Sequence, residues 1–143
     1  MLVNNHIIKN SARESSYVKQ SLVNEIAMQL KQNESSYRVE LGYCMKDYDG
    51  KIIAGINAVM RGRYSVEIGE LWVSEEHRHK GIGTKLLECL EEECLDNGVR
   101  LFYLYTYDFQ ARDFYKLFGY KVYAKLPNNP IESVMTFFMK KQL

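Results

Sequence analysis

The chain has 143 residues, 46% of them hydrophobic and 26% charged, with a formal net charge of +1. That length suits one domain spanning 1–143 with a core of its own, and the near-neutral balance offers no broad basic surface for nucleic acid. No apolar run approaches the roughly 18 residues of a membrane span, and residues 1–10 lack a secretory pattern, so a cytoplasmic protein is expected.

His6-Ile7-Ile8 reads as a short first strand. From Ser11 to Gln32, Val18, Leu22, Ile26 and Leu30 recur every four residues with Val23 and Ala27 beside them, which predicts a helix. Tyr37 to Met45 alternates loosely and reads as a strand. Asp47-Tyr48-Asp49-Gly50 is a hairpin turn, with Asp49-Gly50 expected to take positive backbone angles. Lys51 to Met60 is the partner strand, and Arg61-Gly62-Arg63 leads into a strand from Tyr64 to Val73. A charged loop, Ser74 to His77, and a glycine turn follow. The next helix runs to about Asn97. Its apolar stripe is Ile82, Leu86, Leu87, Leu90 and Cys94, and Glu88, Glu91, Glu92 and Glu93 form a solvated face. Asn97-Gly98 is its stop.

Val99 to Tyr107 is the next strand, expected parallel to Tyr64–Val73 through a right-handed crossover. Asp108 is expected to cap a helix with Ala111, Phe114, Tyr115 and Phe118 on one face, ended by Gly119. Strands from Tyr120 to Leu126 and from Ser133 to Lys140 complete the chain. A late strand could pair across a homodimer. Cys44, Cys89 and Cys94 have no framework spacing, and with His6, His77 and His79 they form no ligand motif, so neither disulfide nor metal is expected.

The glycine turn carries the functional signal. Gly81 and Gly83 let backbone approach a ligand closely, and the helix behind them begins with unpaired N–H groups and a positive dipole end. Arg78, Lys80 and Lys85 crowd that end, where cations oppose the dipole unless an anion offsets them. An anion site is one reading and a solvated surface turn the other. The dinucleotide fingerprint would need glycine where Leu86 stands, and Gly83-Thr84-Lys85 has the wrong order for a nucleotide-hydrolase phosphate loop.

Arg78-x-x-Gly81-x-Gly83, following a Leu-Trp-Val strand, resembles the acyl-CoA binding motif of the GNAT N-acetyltransferase superfamily. Gln110 to Tyr120 resembles that family's second motif, roughly Asn-x-x-Ala-x-x-Phe-Tyr-x-x-x-Gly-Phe/Tyr. The resemblance covers nearly the whole chain. It implies an α/β (α+β) fold with a mixed, mostly antiparallel twisted sheet of six or seven strands. Three or four helices should flank that sheet, and it should be splayed between its two central parallel strands. It implies acetyl-CoA as acyl donor, no metal, and a small amine as acceptor. The amides of His79, Lys80, Gly81, Ile82, Gly83 and Thr84 would hold the CoA pyrophosphate, with Arg78 opening the loop. Leu71, Trp72 and Val73 would run beside the pantetheine arm.

Tyr115 falls where many members keep a tyrosine that protonates the departing thiolate. Glu67 and Glu70 are the candidate bases. Three residues apart, they should face opposite sides of an ideal strand unless a bulge intervenes. Asp108 stands where the family motif has asparagine beside the cofactor. The acceptor would be chosen by the first helix and the loops at 32–37 and 127–133, in which no clearly acidic cleft is legible. A protein N-terminal or lysine acetyltransferase and a non-catalytic CoA-binding module are the alternative functions.

Overall fold

Alternation of apolar and polar residues builds a six-stranded sheet in the second part of the chain. The computed structural model describes residues 7–30 and 38–143, and the chain divides into two units, Met1–Ser36 and Tyr37–Leu143. In the first unit, helix α1 (Ala12–Gln29) opens on a capping box: Ser11 N–H donates to Glu14 Oε2 at 2.7 Å and Glu14 N–H to Ser11 Oγ at 3.4 Å. The Ser11 backbone N–H, then its hydroxyl, hold the Glu14 carboxyl below its ordinary range. No residue of α1 is buried, and Val18, Leu22 and Ile26 are exposed. Ile7 and Ile8 do not form the expected first strand. His6 and residues 31–37, where the helix end and an acceptor loop were expected, lie outside the described residues.

In the second unit the strands are β1 (Arg38–Lys46), β2 (Ile52–Arg61), β3 (Ser65–Val73), β4 (Leu101–Tyr107), β5 (Lys121–Pro127) and β6 (Met135–Gln142). Their order is β1-β2-β3-β4-β6-β5, and β3 with β4 is the parallel pair. A 3-10 turn (Glu75–His77), α2 (Ile82–Asp96) and α3 (Arg112–Leu117) fill the connections. One sheet face is apolar: Ala54, Ile56, Ala58 and Met60 of β2, Val66 and Ile68 of β3, Phe102 and Leu104 of β4, Phe137 and Met139 of β6. The α2 stripe of Leu86, Leu87, Leu90 and Cys94 is buried with them in one cluster. Each Val, Leu, Ile, Phe or Met among them removed from water contributes about 1.5–3 kcal/mol.

Burial pushes the Cys94 thiol up to about 11, with Glu93 and Glu91 adding to it. Gly98 (φ 89) and Gly119 (φ 87) end α2 and α3 in the left-handed region, as their positions predict.

Four local expectations are corrected. In the β1–β2 turn only Gly50 has positive φ, and Asp47 Oδ1 organises the turn by accepting from the Asp49 and Lys51 N–H groups at 2.9 Å. His77, by sequence an exposed loop residue, is half-buried, with Nδ1 2.8 Å from Ser74 Oγ. Glu91 is not solvated: it is 8% exposed. It accepts from Tyr120 Oη at 2.8 Å and Lys141 Nζ at 2.6 Å. Asp108 does not cap α3, whose N-cap is Ala111 with no side-chain bond. Instead Asp108 continues the β4–β6 ladder: its N–H donates to Met135 O at 3.0 Å, and Met135 N–H donates to Asp108 Oδ2 at 3.1 Å.

Both sheet edges are interrupted. Edge strand β1 changes register between Met45 and Lys46, and edge strand β5 between Val122 and Ala124. The final strand, β6, lies inside the sheet between β4 and β5.

Candidate active site

A fork in the sheet positions everything else. Ser65, Val66 and Glu67 pair with Leu101, Phe102 and Tyr103, and there the β3–β4 ladder stops. Beyond it β3 stays bonded to β2 as far as Val73, and β4 to β6 as far as Tyr107. The cause lies on β3. Asn57 pairs with Glu70 while Ala58 pairs with Ile68, so Gly69 is an extra residue. Such a bulge bends its strand and sharpens the twist, here just past the last β3–β4 pair.

The bulge also resets side-chain parity. Leu71 and Val73 pair with Ile56 and Ala54 on the core face, and Glu67, Glu70 and Trp72 share the opposite face. The two candidate carboxylates therefore lie on one side. They line a groove of about 430 Å³ with Glu40, Asn57, Arg61 and Gly69. Glu67 Oε2 accepts from Arg61 Nε at 2.7 Å. That hydrogen bond and the Glu67 charge raise the Arg61 pKa. Tyr103, across the fork from Glu67, has its phenol raised first by burial and then by the Glu67 charge. Glu70 is exposed, and its carboxylate has no bonding partner among the described residues. Gly42 opens the groove wall, since a Cβ there would come within 2.9 Å of Asn57 Oδ1.

The glycine turn closes the open end of β3. Gly81, the N-cap of α2, has φ 76, and His79 has φ 59. Arg78 Nε donates to Val73 O at 3.0 Å and Lys80 Nζ to Glu76 O at 2.9 Å, so both cations brace the turn from behind. A Cβ on Gly83 would lie 3.6 Å from Phe114 and 3.8 Å from Val73, which seats the turn between α3 and the β3 terminus. A Cβ on Gly81 would meet nothing within 4 Å. The amides of residues 79–84 donate to no acceptor among the described residues, whereas the next, Lys85 N–H, bonds Gly81 O at 3.1 Å. A run of free donors at a helix start is chemically suited to an anion.

Tyr115 follows Phe114 in α3. It is 6% exposed. Its ring lies edge-on to Phe114 at 5.3 Å and to Tyr120 at 5.5 Å. Burial pushes its phenol up to about 12. Its hydroxyl has no hydrogen-bond partner among the described residues, an uncommon state for a buried polar atom. Tyr120 is pushed well above the ordinary phenol range by burial, with the Glu91 charge next.

The predicted residues thus fall in four places. Residues 78–84 form the turn, Glu67, Glu70 and Leu71–Val73 lie along β3, and Tyr115 is buried in α3 against Phe114, the residue that approaches Gly83. Asp108 stands at the far end of β4, with Oδ2 occupied by Met135. Trp72 is half-exposed on the groove face. Sequence reasoning missed Arg61, Asn57, Tyr103 and Gln110. The last of these, through Oε1, accepts the Tyr107 N–H at 3.1 Å and so bridges β4 to α3. A lone glycine inside a strand pattern was the one signal available for the bulge. Among the described residues no helix is long and apolar enough to cross a membrane, and no group of His, Cys, Asp and Glu side chains is placed to hold a metal.

The sequence model of the acetyltransferase (GNAT) family matches residues 9–120. The crystal structure of an acetyltransferase from Bacillus cereus superposes with a TM-score of 0.90 at 31% identity, covering 97% of this chain and 98% of that one. An aminoglycoside 6'-N-acetyltransferase from Enterococcus faecium superposes at 0.64 with 21% identity, covering 96% and 97%. An aminoglycoside 6'-N-acetyltransferase complexed with coenzyme A superposes at 0.63 with 21% identity over the same 96% and 97%. At that identity the last two likenesses are of fold. No curated protein matches the sequence.

Proposed function

This chain belongs to the GNAT acetyltransferase family, and on that premise we propose that it moves an acetyl group from acetyl-CoA directly to a primary amine of a small molecule. Acetyl-CoA supplies the activated acyl group as a thioester. The unpartnered amides of residues 79–84 are the observation that carries the reading. They form a donor set fit for the CoA pyrophosphate, which the Cβ-free, open Gly81 would leave unobstructed. Leu71 and Val73, on the arm of the fork that β4 has left, offer main-chain groups to the pantetheine. A β3 amide on that arm would donate to the carbonyl oxygen as negative charge develops there. Asp108 has only Oδ1 left to offer the cofactor.

The amine must lose a proton before its nitrogen can bond to the acetyl carbon. Glu70 takes that proton, directly or through water, because its oxygens are free. Glu67 is held by Arg61 and shapes the groove instead. As the carbon–sulfur bond breaks, Tyr115 gives its proton to the sulfur, and the acylated nitrogen sheds its second proton to become the neutral amide, which restores the phenol through solvent. A phenol kept neutral by burial is a donor at any pH near 7. Holding amine and thioester together across the fork supplies much of the acceleration.

The test combines binding with turnover. Acetyl-CoA should perturb amide NMR signals of residues 79–84, and a small-amine panel should show acceptor-dependent release of free thiol. Binding with no turnover on any amine or peptide would make the protein a CoA-binding module. Turnover on peptides alone would make it a protein acetyltransferase.

A further inference from the structure

The groove behind the fork has a charge balance that neither the family nor the fold dictates. Its ionisable lining is Glu40, Arg61, Glu67 and Glu70. Glu40 Oε1 is 3.0 Å from an Arg38 terminal nitrogen, and Glu67 Oε2 is 2.7 Å from Arg61 Nε. The Glu70 carboxylate has no side-chain partner among the described residues. The groove is rich in carboxylates by count, yet it presents one uncompensated negative charge.

We propose that the acceptor enters this groove as a monocation: it carries the reacting ammonium and no second positive charge. This rests on the acetyl-transfer reading above and narrows its substrate class to small monoamines. A second ammonium on the acceptor would find both remaining carboxylates already neutralised. It would also approach the Arg61 guanidinium, a like charge fixed by its bond to Glu67. What the groove offers beside Glu70 is neutral. Asn57 pairs with Glu70 across the β2–β3 ladder, and its side-chain amide lies where glycine at position 42 leaves room for it. That amide has both a donor and an acceptor and no partner among the described residues, so it suits a hydroxyl or amide near the amine. Selection therefore comes from repulsion as well as attraction.

The decisive comparison is between two acceptors of equal length, 4-amino-1-butanol and 1,4-diaminobutane. Spermidine and an aminoglycoside extend the series at fixed ionic strength, with thiol release as the readout. The amino alcohol should exceed the diamine at least tenfold in kcat/KM. Arg61→Gln frees Glu67 and should move that ratio tenfold or more toward the diamine. Arg61→Lys, which keeps a cation, should leave the ratio on the monoamine side. Equal or higher kcat/KM for the diamine, spermidine or the aminoglycoside in the unaltered protein overturns the monocation proposal while leaving acetyl transfer intact. Absence of thiol release with every amine, despite acetyl-CoA binding at residues 79–84, overturns the transfer reading and this proposal with it.

Discussion

Replacing Lys141 by methionine removes the ammonium that faces Glu91 at 2.6 Å, in a pair whose side chains are only 19% and 11% exposed. The carboxylate would keep the Tyr120 hydroxyl as its partner and remain out of water. Breaking a buried pair from one side costs about 3–5 kcal/mol, because the stranded charge loses its counter-ion without regaining hydration. The exposed pair Arg38–Glu40, at 52% and 76%, sets the opposite expectation. Arg38→Met should cost about 0–1 kcal/mol. For a domain of this size each kcal/mol moves the midpoint by about 3 °C, so Lys141→Met should lower Tm by about 10–15 °C. Thermal melts of both variants at pH 7 make the comparison. A triple variant, Lys141→Met with Glu91→Met and Tyr120→Phe, strands no polar group and should recover most of the loss. If Lys141→Met costs no more than Arg38→Met, the buried network does not hold α2 to β6, and the reasoning fails.

Tyr115→Phe should lower kcat about 100-fold or more while sparing Tm, since the hydroxyl it deletes has no partner; steady-state kinetics and a melt check both. Because that phenol is raised to about 12 in the fold and is near ~10 unfolded, its neutral form favours the fold. That contribution is complete below pH 10 and disappears as pH rises through 12. Denaturant titrations at pH 9 and 11 should therefore show a smaller alkaline loss in Tyr115→Phe than in the parent. Gly81→Ala forces a side chain into φ 76 and should cost about 1–2 kcal/mol. A raised KM for acetyl-CoA, measured beside an unchanged KM for the amine, would tie the strain to the anion cradle. Glu70→Gln should depress kcat/KM by about 100-fold or more, whereas an unaltered kcat/KM would assign the base elsewhere.

Local signals were legible in this sequence and distant ones were not. The stripe Leu86, Leu87, Leu90 and Cys94 announces the buried side of α2, and Gly98 and Gly119 announce the helix ends, because periodicity and backbone freedom are written in neighbouring residues. Glu91 could not be read, since its partners lie 29 and 50 residues away on Tyr120 and Lys141. In isolation it is one more glutamate in an acidic run. The shared face of Glu67 and Glu70 hangs on the single inserted residue at Gly69, whose register against β2 exists only once both strands are paired. Asp108 fits a helix cap by residue type, but Met135 competes for its carboxylate and wins by completing a ladder.

The interrupted rims of the sheet govern how copies of this chain meet in crowded solution. On one rim Arg38, Glu40 and Lys46 punctuate β1. On the other Lys121, Lys125 and Pro127 punctuate β5, where Tyr123 breaks the ladder. Charges, a missing N–H and a local kink each discourage a foreign strand from docking. Fibril-like growth by edge addition is thereby resisted at both ends, and a stable pair of copies would have to form through faces of the molecule and not by lengthening the sheet.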